Sequence, residues 1–377
     1  MSGKGLLLLV DDEEDIRQNL RDYAEMEGYD VLEAENGEEA LRILDQEHPG
    51  VVISDIMMPV MDGLELLKRI HAGGNDVPVI IMTAFGTIER AVKAMKLGAA
   101  DFITKPIDLD MMLQVVKRVL TRAELEQKVK QQEQQMKEDL HLASLIQRCM
   151  LPPNLDTPLL SLHLRYEPLI EIGGDYLTAQ VYGDDRIGVA LYDVTGHGVA
   201  ASLVATMIHH QLSLLMAKPG QPYEILHQIN QFATEKFCVT GIFFTLVIVQ
   251  IDARQGILTA ANAGHPDILI WRTNRDEFET VASHTLPVGI QKFQVQETHQ
   301  SVLPLAHGDR ILLYTDGFTE TRLKNNEMLG RKAFMDMIQP WIRLPAPEFL
   351  DWTFQETAAR RAGEPTDDLT LVAVDRK

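Results

Sequence analysis

The stretch from Asp108 to Met150, DLDMMLQVVKRVLTRAELEQKVKQQEQQMKEDLHLASLIQRCM, contains neither Pro nor Gly. Those two residues interrupt helices most readily. The Gln, Glu, Lys, Leu and Met that dominate here lose little side-chain freedom in a helix. One long helix is therefore expected, too long to fit within a single small domain. The 377 residues suffice for two or three domains, so this helix reads as a connector. Val129, Met136, Ala143 and Met150 recur every seven residues, as do Leu125, Gln132, Asp139 and Ile146. That is a coiled-coil register with two polar interruptions. A solvated single helix carried by i,i+4 charge pairs is the alternative to a parallel homodimer contact; the homodimer is the expectation.

Before the helix, short apolar runs alternate with helical spacing. The runs are Leu6–Val10, Asp30–Ala34, Val51–Ser54, Val79–Met82 and Asp101–Ile103, separated by segments such as Glu14–Glu27, Gly37–Gln46 and Thr87–Leu97. Strands alternating with helices predict a doubly wound, five-stranded parallel sheet with helices on both faces. In such sheets functional groups gather at the carboxyl ends of the strands. Asp11 and Asp12 follow the first run, Asp55 the third, Thr83 the fourth and Lys105 the fifth. Three carboxylates brought together repel one another unless a cation sits among them, and a hard, oxygen-seeking ion such as Mg²⁺ fits. Asp55 could attack phosphorus as a nucleophile, with Lys105 and Thr83 meeting phosphoryl oxygens.

The stretches LVDDEEDIR, DIMMPVMDG, MTAFG and KPID resemble the CheY-like receiver domain of two-component response regulators, over residues 4–122. The resemblance implies that Asp55 accepts a phosphoryl group from a histidine kinase or other phosphodonor. It implies Mg²⁺ held by Asp11, Asp12, Asp55 and the Met57 backbone carbonyl, and a switch pair of Thr83 and Phe102. Core packing is the alternative role for Phe102. A cis Lys105–Pro106 bond is also expected, an isomer open to X-Pro bonds.

After Pro152 and Pro153, which stop the helix, strands outnumber helices. Strand-like runs lie at Ser161–Tyr166, Arg186–Tyr192, Phe244–Ile251, Ile257–Asn262, Ile268–Trp271, Arg310–Tyr314 and Leu369–Val374. Helical stretches lie at Gly198–Met216, Pro222–Phe237, Arg331–Ile342 and Pro347–Ala362. Seven strands and four helices suggest two face-to-face sheets with helices outside. Acidic residues sit beside small ones near the strand ends: Asp175 in IGGDYL, Asp193 in LYDVTGHG, Asp316 in LLYTDGFTE, and Asp367 and Asp368 in PTDDLTLVAV. Four carboxylates without neighbouring Cys favour Mn²⁺ or Mg²⁺ over Zn²⁺. Two such ions about 3.5–4 Å apart can share a hydroxide and drive in-line attack on phosphorus.

SLIQRCMLPP, GGDY, DVTGHG, NAGHP, YTDGFTE and DDLTLV together resemble the PPM family of metal-dependent serine/threonine phosphatases, in its SpoIIE/RsbU branch, over residues 140–377. The resemblance implies an αββα sandwich. It implies metal ligation by Asp175, Asp193, Asp316, Asp367 and the Val194 backbone carbonyl, with Asp368 as the alternative to Asp367. The implied reaction is hydrolysis of phosphoserine or phosphothreonine without a phosphoenzyme. His197 and, less so, His265 are general-acid candidates, and Arg165 is a candidate for facing a substrate phosphate.

The reading is thus a receiver over 4–122, a helical coiled-coil linker over 123–139 and a phosphatase over 140–377. By family analogy the substrate is a phosphorylated STAS-domain anti-sigma-factor antagonist in a partner-switching pathway. Alternatives are a non-catalytic sigma-factor adaptor of RssB type and a phosphatase for another regulatory phosphoprotein. With 35 Lys and Arg against 55 Asp and Glu, a net charge of −20, broad nucleic-acid binding is disfavoured. The short Leu6–Val10 run is no signal peptide or membrane span, so a cytoplasmic protein is expected. Cys149 and Cys238 are expected as buried free thiols.

Overall fold

The computed structural model describes residues 4–84, 88–196, 198–237 and 241–377. His197, Cys238 and the Phe85–Gly86 pair of MTAFG lie outside the described residues. The chain divides into two compact units, Met1–Met136 and Lys137–Lys377.

In the first unit the elements are β1 (Leu6–Val10), α1 (Glu14–Met26), β2 (Asp30–Ala34), α2 (Gly37–Leu44), β3 (Val51–Asp55), α3 (Gly63–Ala72), β4 (Val79–Ala84), α4 (Ile88–Lys96) and β5 (Asp101–Lys105). The strands form one parallel sheet in the order β2-β1-β3-β4-β5. Successive residues of a strand face opposite sides. Leu8, Val10, Val52 and Ile81 therefore pack on Leu66, Leu67 and Ile70 of α3. Leu7, Leu9, Ile53 and Ile80 pack on the other face, against Leu20 and Ala24 of α1 and Met112, Val116 and Val119 further on. This two-sided burial explains why β1 and β3 read as unbroken apolar runs. The order reverses beside β1 and β3, which opens a crevice at their carboxyl ends.

Helix α5 (Leu109–Met150) is continuous over 42 residues. Its first turns belong to the receiver core. Residues 124–139 are all exposed, and the heptad positions Leu125, Val129 and Met136 are 58%, 51% and 56% exposed. An i,i+4 pair, Arg122 to Glu126 at 2.8 Å, supports the exposed stretch. The helix ends just before Pro152.

In the second unit the strands are β6 (Leu155–Asp156), β7 (Leu160–Glu167), β8 (Asp175–Tyr182), β9 (Arg186–Val194), β10 (Phe244–Asp252), β11 (Ile257–Ala263), β12 (Ile268–Arg272), β13 (Glu277–Val281), β14 (Ser301–Pro304), β15 (Arg310–Tyr314) and β16 (Leu369–Arg376). The helices are α6 (Val199–Leu215), α7 (Pro222–Lys236), α8 (Gly317–Glu320), α9 (Gly330–Ile338) and α10 (Ala346–Arg360). Two antiparallel sheets form, β14-β11-β10-β9-β8 and β13-β12-β15-β16-β7-β6. Leu177, Leu191, Val247 and Val249 of the first meet Leu162, Ile311, Leu313 and Val372 of the second in the inter-sheet core. Helices α6 and α7 cover one outer face through Ile208, Leu212, Ile225 and Ile229. Phe334, Phe349 and Phe354 of α9 and α10 cover the other. The result is the four-layer αββα sandwich.

Several local expectations change. The second unit has β6, β8, β13 and β14 in addition to the seven expected strands. Strand β8 opens on the GGDY motif and mixes Thr and Gln with apolar residues, which hides its alternation. Strands β13 and β14 are short and end their sheets. The helix expected over Arg331–Ile342 stops at Ile338 and gives way to a 3-10 turn, Gln339–Trp341, because Pro340 lacks the N–H that an α-helix needs. Cys149 is exposed rather than buried. The inward face of that helix turn is taken by Ser144 and Gln147, and position 149 points elsewhere. Phe102 is 41% exposed, so it is not a core residue. No helix among the described residues is long and apolar enough to cross a membrane.

Candidate functional site

Two acidic centres are present, one in each unit. In the first, the β1 and β3 ends bring Asp11, Asp12 and Asp55 together, with one carboxylate oxygen from each within 4.8 Å of the others. Asp11 is fully buried and Asp55 nearly so. Lys105, at the end of β5, donates from Nζ to Asp11 Oδ2 and to Asp55 Oδ2, both at 2.8 Å. Burial pulls the Lys105 ammonium down, but the hydrogen bonds to Asp11 and Asp55 outweigh it and hold the pKa above its ordinary value. The Ile56 amide donates to Asp55 Oδ1 at 2.8 Å. The β1 turn is held by Arg17 Nη1, which donates to the Asp11 carbonyl at 2.6 Å. Gly63 is required by a close approach: a Cβ there would lie 2.1 Å from the Asp55 carbonyl oxygen. Thr83 is buried on β4, whose Met82 is the register partner of Asp55. Met57 stands two residues beyond Asp55, and the Lys105–Pro106 bond is cis.

In the second unit, Asp175 and Asp193 are direct cross-strand partners on β8 and β9. The opposite sheet supplies Asp316 just after β15, and Asp367 and Asp368 just before β16. Asp175 is buried. Thr315 Oγ1 and Thr370 Oγ1 both donate to its Oδ2, at 2.7 and 2.6 Å. Burial, and then the charges of Asp193 and Asp368, push the Asp175 carboxyl well above the usual carboxylate range. Burial, with Asp316 and Asp367 next, pushes Asp193 up to about 8. Burial and Asp367 push Asp316 up to about 6. Carboxylates that hold protons so firmly lack a counter-charge, and a divalent cation is the ordinary remedy. This donor set fits Mn²⁺ or Mg²⁺ on chemical grounds. Gly317 admits no side chain, since a Cβ would lie 2.1 Å from the Asp368 carbonyl oxygen. Its DG pair is thus a packing requirement of the site.

The other expected residues fall differently. Val194 ends β9 directly after Asp193. His265 is buried and hydrogen-bonded through Nδ1 to the Thr245 hydroxyl at 2.8 Å. Burial lowers its pKa to about 3, so the ring is uncharged near neutrality and has no imidazolium proton to give. Asn262 fastens that loop, accepting from the His265 amide at 2.9 Å and donating to the Pro266 carbonyl at 3.1 Å. Arg165 pairs with Asp351 at 2.5 Å and lies over the Phe354 ring at 4.6 Å, which commits its guanidinium to α10. Sequence reasoning missed Thr315, Thr370 and Gln147. Hydroxyls within two residues of a carboxylate, in YTDG and DDLT, were the available signal. Gln147 Nε2 donates to the Gly173 carbonyl at 2.9 Å, and the Gly173 amide donates back to Oε1 at 3.3 Å.

Both units have counterparts among known proteins. The sequence model of the response regulator receiver domain matches residues 7–117, and that of Stage II sporulation protein E (SpoIIE) matches residues 183–377. The chain carries a receiver domain joined to a SpoIIE-type domain. It belongs to the SpoIIE family. Sporulation initiation phosphotransferase F of Bacillus subtilis (strain 168) is 40% identical over 114 residues, 30% of this chain and 92% of that protein. Regulatory protein AtoC of Escherichia coli (strain K12) is 37% identical over 130 residues, 34% of this chain and 28% of that protein. The chain spans 25–52% of the length of the first curated relatives it matches. Among solved structures, the SiaA-PP2C domain of Pseudomonas aeruginosa is similar with a TM-score of 0.56 and 22% identity, covering 65% of this chain and 98% of that one. The RsbU and RsbW domains of a Mycobacterium tuberculosis protein give 0.51 and 24%, covering 60% and 63%. At these identities the likeness is one of fold.

Proposed function

We propose that the chain is a response regulator whose phosphorylation at Asp55 controls a metal-dependent phosphoserine/phosphothreonine protein phosphatase. The observation that carries the phosphatase is the set of four carboxylates from two sheets, with Asp175 and Asp193 face to face and short of positive charge. Asp175, Asp193, Asp316, Asp367 and the Val194 carbonyl would hold two Mn²⁺ or Mg²⁺ ions. Ions held there supply an activated water for in-line attack on phosphorus and draw charge from its oxygens. The protein's own part is to fix the ligands: Thr315 and Thr370 both donate to Asp175 Oδ2 and hold its carboxylate in place. An adaptor without catalysis has no need of this complete set, which argues against the RssB-type reading.

In the receiver, Asp55 would accept the phosphoryl group from a histidine kinase or other phosphodonor, with Mg²⁺ held by Asp11, Asp12, Asp55 and the Met57 carbonyl. Lys105 would neutralise a phosphoryl oxygen, and Thr83 and Phe102 would form the switch. The receiver is assigned 4–122, the linker 123–139 and the phosphatase 140–377, with the linker pairing in a homodimer. Coupling to the phosphatase is supported by Gln147, which lies on α5 and grips Gly173, two residues from Asp175. A phosphorylated STAS-domain anti-sigma-factor antagonist is the proposed substrate.

The test incubates the full chain with phosphorylated STAS proteins and a phosphoserine peptide. Phosphate release that needs Mn²⁺ or Mg²⁺ and stops in Asp193→Asn is expected. No release from any phosphoserine substrate at saturating metal would refute the enzymatic reading.

A further inference from the structure

The adjacent aspartates Asp367 and Asp368 are both acidic and both beside the proposed metal centre, yet the structure gives them different surroundings. Asp368 is buried, and its carboxylate is surrounded by backbone donors. The Leu169 amide donates to Oδ1 at 2.7 Å. The Gly174 amide donates to Oδ2 at 2.7 Å and the Asp175 amide to the same oxygen at 3.3 Å. All three donors lie on the segment that joins β7 to β8 and ends on Asp175. A carboxylate receiving N–H groups at both oxygens is matched in charge and geometry and has little capacity left for a cation. Asp367 is less buried, and its Oδ1 accepts from the Asp368 amide at 2.8 Å.

The same segment is gripped from the other side by the Gln147 amide at Gly173. The backbone just ahead of Asp175 is thus fixed by two side chains. The Asp175 side chain is then fixed by Thr315 and Thr370.

We propose that Asp368 is a positioning residue and not a metal ligand: it latches the segment Leu169–Asp175 to the start of β16 and so presents Asp175 opposite Asp193. This rests on the reading of the second unit as a metal-dependent phosphatase. An amide at 368 cannot serve, because one of its two ends would point N–H groups at N–H groups. Groups that orient ligands typically cost about 10- to 100-fold in metal affinity when removed.

The test compares the full-length wild type, Asp368→Asn, Asp368→Ala and Asp367→Asn, all without metal at first. Hydrogen exchange read by mass spectrometry should show the Leu169, Gly174 and Asp175 amides protected in wild type and in Asp367→Asn. In both Asp368 variants those amides should exchange about tenfold or more faster, the signature of a local opening. Mn²⁺ titration by calorimetry should then show Asp368→Asn binding the wild-type number of ions, about 10- to 100-fold more weakly. Asp367→Asn should lose an ion outright. Rapid exchange of the three amides in wild type would overturn the latch, and this arm needs no variant to fold. Loss of an ion in Asp368→Asn, with exchange unchanged, would make Asp368 a ligand and also overturn it. If wild type binds no Mn²⁺, the phosphatase reading fails, while the exchange data still decide the latch.

Discussion

Asp175 and Asp193 stand directly opposite each other on adjacent antiparallel strands, one of the least favourable placements for two carboxylates. Like charges in that position destabilise a sheet. Here burial prevents water from screening them, and Asp193 is pushed up to about 8. A divalent cation between the two would offset both the burial and the repulsion.

Replacing Asp193 by Asn should therefore have opposite effects on stability and function. The metal-free protein should gain about 1 kcal/mol, the cost of a like-charge cross-strand pair. Mn²⁺ binding and phosphatase activity should vanish. Thermal denaturation with and without Mn²⁺ checks both; a variant less stable than wild type in the absence of metal contradicts the account.

The same pair fixes a pH dependence. Asp193 and Asp316 hold their protons in the fold up to about 8 and about 6, whereas the unfolded chain releases them near pH 4. Between those limits the folded state binds more protons, so metal-free stability falls as pH rises, by up to about 1.4 kcal/mol per pH unit for each such group. Saturating Mn²⁺ should remove the slope. Denaturant midpoints at several pH values, with metal and with chelator, measure it.

Thr315→Val and Thr370→Val each remove one hydroxyl from Asp175 Oδ2. Each should cost about 1–3 kcal/mol, typical of a lost buried hydrogen bond, and should raise the Mn²⁺ concentration needed for half-maximal activity. Because both act on one oxygen, the double variant should not equal the sum of the two.

His265 gives a contrasting titration. Its folded pKa is lowered to about 3 by burial, against about 6.5 when unfolded. Its contribution is fully present above pH 6.5 and is lost as pH falls toward 3, where only the unfolded chain takes the proton. His265→Asn should flatten acid destabilisation of the second unit, read by tryptophan fluorescence between pH 4 and pH 7.

These residues show which parts of the fold the sequence made legible. The parallel sheet was readable because β1 and β3 are apolar on both faces, and the carboxylates because each lies at or beside a strand boundary, Asp175 and Asp316 next to glycine. Strand β8 was hidden because Thr178 and Gln180 interrupt its apolar pattern and its first residue is the buried Asp175. The sequence resemblance favoured Asp367 over Asp368 as a ligand, but the different surroundings of the two were not legible. They depend on amides at Leu169 and Gly174 that only folding brings to the carboxylate. Gln147 looked like one more glutamine in a Gln-rich helix; its grip on Gly173 is a tertiary fact.

Gln147 should matter for regulation more than for chemistry. Gln147→Ala should leave the enzyme able to hydrolyse phosphoserine at high Mn²⁺ but reduce the difference between the Asp55-phosphorylated and unphosphorylated states. Inserting four residues within Glu124–Glu138, which adds about 6 Å and turns the helix phase by about 40°, should alter that difference as well. Rates measured with and without a phosphodonor test both.

The most direct test of the account measures Mn²⁺-dependent phosphate release by the full-length chain, with and without a small-molecule phosphodonor, for wild type and Asp55→Asn. The rate should change with the phosphodonor in wild type and stay constant in Asp55→Asn, with both silenced by chelator. Equal rates in wild type with and without phosphorylated Asp55, or no metal-dependent release at all, would contradict it.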